Sequence, residues 1–386
     1  MARSFIVGID LGSAVTKTVV LSAQNGENTE VLAAVSVPTK GVRHGYITNI
    51  SAAADSIRRS IDLAQKEAGV QIKRAYFSIG GISLSSETSQ GGAIISKSDQ
   101  EVTAFDIKTA LASAEETLAL KNKKIIFNTP VGWKVDGKEI LGKPDGVHGV
   151  KLEVKVFYVT CLSQHLDDLI SAAAEADIEV LDVIPSPIAA SYIALSERQK
   201  AVGVILVNIG AETVSIAIFE NNALIGLSVL PIGSTDITND IALGFRIPLE
   251  EAESIKTGSV MSASYPKRKV DEIIEARFSD IFELVDGYLK KIKRSGLLPA
   301  GVVITGGGSG NGLVEGLARN MLRLPSKIGS GDLLSNIKGP ARDATWFVAF
   351  GLAMIAREGN RDGFSRTSSG NKAKGFLKEF LRQFLP

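Results

Sequence analysis

Between residues 5 and 22 the chain reads FIVGIDLGSAVTKTVVLS, two apolar β-rich runs around a turn of small residues. The same pattern returns at 202–222, VGVILVNIGAETVSIAIFENN. Val- and Ile-rich runs on either side of a glycine turn predict a β-hairpin. Aligning Gly12 with Gly210 sets Asp10 against Asn208 and Thr18 against Ile216. One hairpin plan used twice, about 200 residues apart, predicts two related halves facing each other across a cleft.

Helical spacing fills the intervals. Residues 51–68 place Ile57, Ile61, Leu63 and Ala64 on one stripe, with Gly69 positioned as a C-cap. A strand is expected at 72–81 and a helix at 103–119. Alternating strands are expected at 124–160, with turns at Asp136–Gly137 and Pro144–Gly146. The stretch 83–161 therefore reads as a small α+β insertion. Beyond it, a helix is expected at 164–177, then the strand IEVLDVIPSP and the helix IAASYIAL. Further helices are expected at 234–244 and 249–258, and a long amphipathic one at 270–294. The strand GVVITGGG, 301–308, is expected to run into a helix at 311–322, and 343–357 to form the last helix of the folded body.

The pattern then changes twice. Residues 358–374 are rich in Gly, Ser, Asn and charge and read as a flexible linker. Residues 375–386, GFLKEFLRQFLP, place Phe376, Leu377, Phe380, Leu381, Phe384 and Leu385 on one helical stripe. Lys372, Lys374, Lys378 and Arg382 flank that stripe, which suits an anionic lipid surface. Full burial of one Leu or Phe gives roughly 1.5–3 kcal/mol. Interfacial insertion is partial, so a single helix of this length is expected to bind weakly and many linked copies strongly.

Composition narrows the classes. Apolar residues make up 45% of the 386 and charged residues 22%, an ordinary globular balance with room for two or more domains. The formal net charge of +1 gives no global field for nucleic acid. A lone Cys161 excludes an internal disulfide framework and fits a reducing compartment. The opening apolar run is too short for a signal peptide, and no run of about 18 apolar residues exists to span a bilayer. His44, His148 and His165 show no ligand spacing and read as surface or packing residues.

Two turns carry candidate chemistry. In DLGSAVTK, 10–17, a carboxylate ends an apolar strand and small residues follow. Backbone N–H groups in such a turn can face a phosphate, Asp10 can hold hydrated Mg²⁺, and Lys17 adds a cation. In ITGGGSGNGL, 304–313, glycines leave a strand and open a helix whose N–H groups favour anions. Neither matches the GxGxxG or GxxxxGK[ST] spacing, and each alone is equally an ordinary structural turn.

Taken together and in order, GIDLGSAVTK, VNIGAETVSIAIF, EEAESIK, EARFSDIFELV and LPAGVVITGGGS resemble the FtsA family of bacterial cell-division proteins, actin-like membrane tethers of the division ring. The resemblance spans about residues 5–358, and the tail matches by type. It implies an α/β, actin-like (ribonuclease H-like) fold of two duplicated lobes. Subdomain 1A would be 1–82 with 162–200, and the insertion, subdomain 1C, 83–161. Subdomain 2A would be 201–245 with 299–357, and subdomain 2B 246–298. ATP would lie between the lobes. Its phosphates would meet Gly12, Ser13, Ala14, Val15, Thr16 and Lys17, and Gly210, Ala211, Glu212 and Thr213. Its adenosine would meet Glu253, Lys256, Gly306, Gly307, Gly308 and Ser309, with Asp10 organising Mg²⁺ through water.

The resemblance further implies polymerisation on the cytoplasmic face of the inner membrane at the septum. Subdomain 2B would bind the C-terminal peptide of the tubulin-like FtsZ, and 1C would contact later division proteins or neighbouring subunits. No catalytic residue is assigned. Asn208 stands where the superfamily usually has Asp, and Ser186–Pro187 where MreB-type relatives carry a catalytic Glu, so hydrolysis is expected to be slow or absent. The alternative is a PilM-like cytoplasmic component of type IV pilus assembly, which needs no lipid helix. A chaperone or sugar kinase fits less well, lacking a peptide-binding domain or a carboxylate base in the cleft.

Overall fold

The computed structural model describes residues 4–23, 30–259, 265–331 and 343–361. The tail residues 375–386 and most of the expected linker lie outside this range, so the membrane stripe and its flanking basic residues are not described.

The first half opens with β1 (Phe5–Leu11), β2 (Val15–Ser22) and β3 (Val31–Pro38), a small hairpin β4 (Val42–Arg43) and β5 (Tyr46–Ile47), helix α1 (Ile50–Ala68) and β6 (Arg74–Ile79). Asn49 caps α1 by accepting from the Ala52 N–H, and Gly69 ends it in the left-handed region at φ 67°, as its sequence position predicts. The insertion follows: β7 (Ser85–Ile94), α2 (Ala104–Glu116), β8 (Lys123–Val135), β9 (Lys138–Ile140) and β10 (Lys151–Leu162). It builds its own antiparallel sheet in the order β7-β10-β8-β9. Helix α2 covers one face around a small core that includes Trp133, Val154 and Val156. Then come α3 (Ser163–Glu175), β11 (Glu179–Pro185), α4 (Ser186–Ala194) and α5 (Glu197–Val202).

The second half repeats the first. It contains β12 (Val204–Ile209), β13 (Val214–Glu220), β14 (Ala223–Leu230), α6 (Ser234–Phe245), α7 (Leu249–Lys256), α8 (Lys267–Lys291), β15 (Val302–Thr305), α9 (Val314–Leu322), β16 (Ser326–Ile328) and α10 (Phe347–Arg361). One sheet runs β3-β2-β1-β6-β11 and the other β14-β13-β12-β15-β16. In each, a three-stranded antiparallel meander continues into two parallel strands. The hairpins are superimposable in register: Asp10 pairs Lys17, Asn208 pairs Ser215, and both Gly12 and Gly210 donate their N–H to a carbonyl three residues on. The duplicated two-lobed, actin-like architecture expected from the sequence is the observed one.

Three details depart from expectation. The glycine segment Gly307–Gly310 is a 3-10 turn, and α9 begins only at Val314, three residues later than expected. The N-terminus at the three glycines is therefore that of a single 3-10 turn and not of an α-helix. The last helix continues through Arg361, four residues into the stretch read as linker. That helix also packs against α4 and the first sheet, although the resemblance placed 299–357 in subdomain 2A. The cause is its apolar surface: Phe347, Ala349, Phe350, Leu352 and Ala353 are fully buried. Gly351 permits the crossing, since a Cβ there would lie 1.9 Å from the Ala189 carbonyl of α4. The cluster that holds these residues also takes in Val204, Leu206 and Val303 of the second sheet, so one apolar core joins the lobes behind the cleft. Among the described residues no helix is long and apolar enough to cross a membrane.

Candidate functional site

The two hairpin turns both meet the β4–β5 hairpin, through Ser13 to Gly45 and Glu212 to His44, and the glycine turn after β15 packs against Asn208 and Ile209 at the second of them. Asp10, half-buried, stands one residue before the end of β1, and its carboxylate accepts a 2.7 Å hydrogen bond from the Ser78 hydroxyl on β6. Burial raises its pKa above the usual carboxylate value, and Ser78 and Lys17 oppose that rise. Ser78 was not singled out in the sequence. The available signal was a hydroxyl on an otherwise apolar central strand.

Lys17 departs from its expected role. Its ammonium donates to the Thr345 carbonyl and lies 5.1 Å from the Trp346 ring centroid, so it braces the 343–346 turn instead of standing free over the phosphate turn. Burial pulls its pKa down, against the favourable charges of Asp10 and Asp343. Thr16 is buried and shares a 2.7 Å hydrogen bond with Thr39, and the Gly12 N–H closes the turn onto the Val15 carbonyl, so the more exposed stretch Ser13–Val15 is the part of the turn open to a ligand. Ser13 is half-buried, and its hydroxyl accepts from the Gly45 N–H at 3.1 Å.

In the second turn, the N–H groups of Ser234 and Thr235 donate to the carbonyls of Gly210 and Ala211, so the start of α6 is fixed onto it. Asn208 lies between Ser215 and Thr305, each 3.4 Å away. The Glu212 carboxylate does not face an open site. It meets Arg43 at 2.9 Å and the His44 N–H at 2.6 Å, both from the first half.

Beside this turn lies a cavity of about 730 Å³. Lys256 on α7, Tyr265, Asp271 and Phe278 at α8, and the glycines Gly307 and Gly308 line it; Ser234 links it to the second turn. That volume falls within the range of small-molecule sites, roughly 300–1,000 Å³. Lys256 donates to the Ser234 carbonyl at 3.1 Å and pairs with Glu253 at 2.6 Å. Burial alone would raise the Glu253 pKa, but the bonds from Lys256 and Thr238 outweigh it and hold it below the ordinary value. Glu253 itself borders a separate shallow depression, so it steadies Lys256 from behind the cavity. Gly306 and Ser309 also sit behind the surface: Gly306 is packed under Asn208 and Ile209, and the buried Ser309 hydroxyl donates to the Gly306 carbonyl at 2.7 Å.

The histidines follow the packing expectation in part. His165 is buried between the Gly45 carbonyl and the Ser83 hydroxyl. His44 occupies the junction between the halves, which spacing along the chain could not reveal. Among the described residues no group of three or more His, Cys, Asp or Glu is placed to hold a metal.

Comparison with known proteins agrees with this architecture. The family model described as "Cell division protein FtsA" matches residues 205–351, and that of the "SHS2 domain inserted in FTSA" matches 81–160. Cell division protein FtsA of Pseudomonas aeruginosa is 31% identical over 95% of this chain and 92% of its own length. The Bacillus subtilis protein of the same name is 27% identical over 91% of this chain and 83% of its own. Among solved structures, a PilM–PilN type IV pilus biogenesis complex matches with a TM-score of 0.67 at 18% identity, covering 91% of this chain and 98% of that one. MreB5 of Spiroplasma citri bound to ADP matches at 0.51 and 14%, covering 94% and 99%. At these identities the structural likenesses speak for the fold.

Proposed function

This chain belongs to the FtsA family of cell-division proteins, and from that premise we propose that it binds ATP with Mg²⁺ between its lobes and assembles on the cytoplasmic face of the inner membrane. It is an actin-like cell-division protein; the nucleotide, membrane and partner assignments are the proposal. The observation that carries it is the cavity of about 730 Å³ between Lys256, the start of α8 and Gly307–Gly308, adjoining the second of two matched glycine turns. Adenosine would occupy the cavity and the phosphates would extend toward Gly12–Val15 and Gly210–Thr213. The residues present suit a hydrated Mg²⁺: Asp10 supplies one carboxylate, and such an ion keeps most of its ligands as water and phosphate oxygens. The nucleotide would act chiefly as a ligand that favours polymerisation, with hydrolysis slow or absent.

The tail 375–386 would anchor each subunit weakly to anionic lipid, and a filament would bind through many tails. Residues 246–298 would dock the C-terminal peptide of FtsZ, and the insertion would contact later division proteins or a neighbouring subunit. The pilus-assembly alternative has only the fold likeness in its favour. The test is co-sedimentation of the full chain with ATP, anionic liposomes and the FtsZ peptide in all combinations. Deleting 375–386, or Phe380→Glu, should release the protein from liposomes and leave ATP binding intact. Undiminished pelleting of either variant with liposomes would refute the anchor.

A further inference from the structure

The hairpin β4–β5 turns on His44 and Gly45, at φ 48° and 79°. Positive φ at both central residues is the signature of a type I′ turn. His44 is costly there, because a side chain disfavours the left-handed region. In such a two-residue turn the N–H groups of the two central residues are left over by the strand ladder. Here both are directed at the candidate phosphate turns: His44 N–H to the Glu212 carboxylate at 2.6 Å, and Gly45 N–H to the Ser13 hydroxyl at 3.1 Å.

The tip is braced from behind. His165 donates through Nε2 to the Gly45 carbonyl at 2.8 Å and accepts from the Ser83 hydroxyl at Nδ1, 2.6 Å away. The Tyr46 ring lies against its imidazole with centroids 4.7 Å apart. A Cβ on Gly45 would come within 2.4 Å of Gly81 Cα, so the turn is held against that backbone. From the front, Arg43 Nε meets the second Glu212 oxygen at 2.9 Å, and the His44 ring donates through Nδ1 to the Glu212 carbonyl at 3.1 Å. Both carboxylate oxygens of Glu212 are thus received by donors from the other lobe. This is a built anion site whose present occupant is a side chain.

That occupant is displaceable. The Arg43 side chain is 69% exposed and that of Glu212 15%. The Arg43 half of the pair stands largely in water, where its hold on the carboxylate is screened. A terminal phosphate carries more charge and more acceptor oxygens than a carboxylate, so it competes well for the same donors.

We propose that Arg43 with the N–H groups of His44 and Gly45 is a receptor for the terminal phosphate of a nucleoside triphosphate, and that Glu212 is the resident anion which this phosphate displaces. The proposal rests on the nucleotide reading above. A diphosphate, lacking the terminal group, leaves Glu212 in place. The site therefore discriminates between triphosphate and diphosphate, and it joins the two lobes through Glu212 in one state and through the ligand in the other.

The test is calorimetric titration of the full chain, in wild-type, Glu212→Gln and Arg43→Ala forms, with ADP and with a non-hydrolysable triphosphate analogue. The readout is the ratio of triphosphate to diphosphate affinity. Removing the resident charge in Glu212→Gln should raise that ratio about tenfold, the size of one charge-assisted contact, and Arg43→Ala should lower it by a similar factor. The opposite signs are diagnostic. If the pair were a purely structural bridge, breaking it from either side would move both nucleotides alike. Arg43 is exposed, so its variant should fold even if the other does not. Shifts of the ratio in the same direction, or no shift, would overturn the proposal and leave the nucleotide reading standing. Failure of the wild type to bind either nucleotide would overturn both.

Discussion

Gly306 and Gly307 are neighbours in sequence, yet the structure predicts opposite outcomes for adding one methyl group to each. Gly306 has φ 87° and ψ 176°, a backbone region essentially restricted to glycine, where another residue costs about 1–3 kcal/mol. Its Cβ would also lie 2.4 Å from Asn208 Oδ1 and 2.4 Å from the Ile209 carbonyl. That carbonyl belongs to the central strand β12, which is bonded on both sides to β13 and β15 and has no free direction in which to move. Forcing a methyl into such a contact costs a further 1–3 kcal/mol, roughly. The sum is about 4 kcal/mol, equivalent in a chain of this length to a fall of about 5 °C in the melting midpoint. Gly307 has no positive φ, and a Cβ there would meet nothing within 4 Å, because it projects into the cavity. Gly307→Ala should therefore change stability by less than about 0.5 kcal/mol. It should weaken ATP about tenfold by occupying space that the adenosine needs.

Thermal melts of Gly306→Ala and Gly307→Ala beside wild type, followed by calorimetric titration with ATP below the lowest midpoint, separate the two effects. An unshifted midpoint for Gly306→Ala would mean that the clash and the backbone strain are relieved by movement of β12, contrary to the packing described. Wild-type affinity in Gly307→Ala would remove the cavity as the seat of the adenosine.

Two further outcomes are expected. Asp182 is buried on β11; one oxygen accepts the Val183 N–H at 2.8 Å, the other has no partner among the described residues, and burial pushes its pKa up to about 7. A carboxyl raised in the folded state favours folding fully below its ordinary value near 4, and that support is lost as pH rises toward 7. Asp182→Asn should therefore stabilise the protein at pH 8 by an amount of order 3 kcal/mol and have much less effect at pH 4, as read by urea unfolding. Phe278 is fully buried in α8 and also lines the cavity, so Phe278→Ala should cost about 3–5 kcal/mol in urea unfolding and weaken ATP binding in titrations at low denaturant.

What the sequence made legible was whatever leaves a local period. The two hairpins announced themselves by Val- and Ile-rich runs around Gly12 and Gly210, and the register of both is as the alignment set it. Helix α8 followed from the spacing of Ile273, Ile274, Phe278, Ile281, Phe282, Leu284, Val285 and Leu289, of which all but the half-buried Ile273 and the exposed Leu284 are buried. Contacts made across the fold left no such trace. Arg43 and Glu212 are 169 positions apart, and nothing near either one indicates the other. The recipient of Lys17 was hidden for the same reason: Thr345 lies 328 residues away. The resemblance placed 299–357 in subdomain 2A, and nothing in the local sequence of α10 shows that it packs on α4 and the first sheet.

The duplicated hairpins also bear on the fate of a bound nucleotide, because they diverge at one position that matters. Asp10 and Asn208 occupy equivalent places at the ends of β1 and β12. In the first turn the half-buried carboxylate is bonded by Ser78 and faced by the charge of Lys17, an arrangement able to orient a hydrated cation. In the second turn the equivalent group is a neutral amide lying between Ser215 and Thr305. An amide so placed supplies no charge to a cation and accepts no proton from water. The acid of that turn is Glu212, four positions later, and it is directed across the cleft to Arg43 and His44. Attack on a terminal phosphate needs an oriented water with somewhere for its proton to go. Of the two matched turns only the first carries an acid at this position; in the second, Glu212 is paired with Arg43 and His44 until, on the reading above, a terminal phosphate displaces it. On the proposed nucleotide reading, it is the neutral Asn208 that favours a nucleotide which persists as a ligand over one that is rapidly turned over.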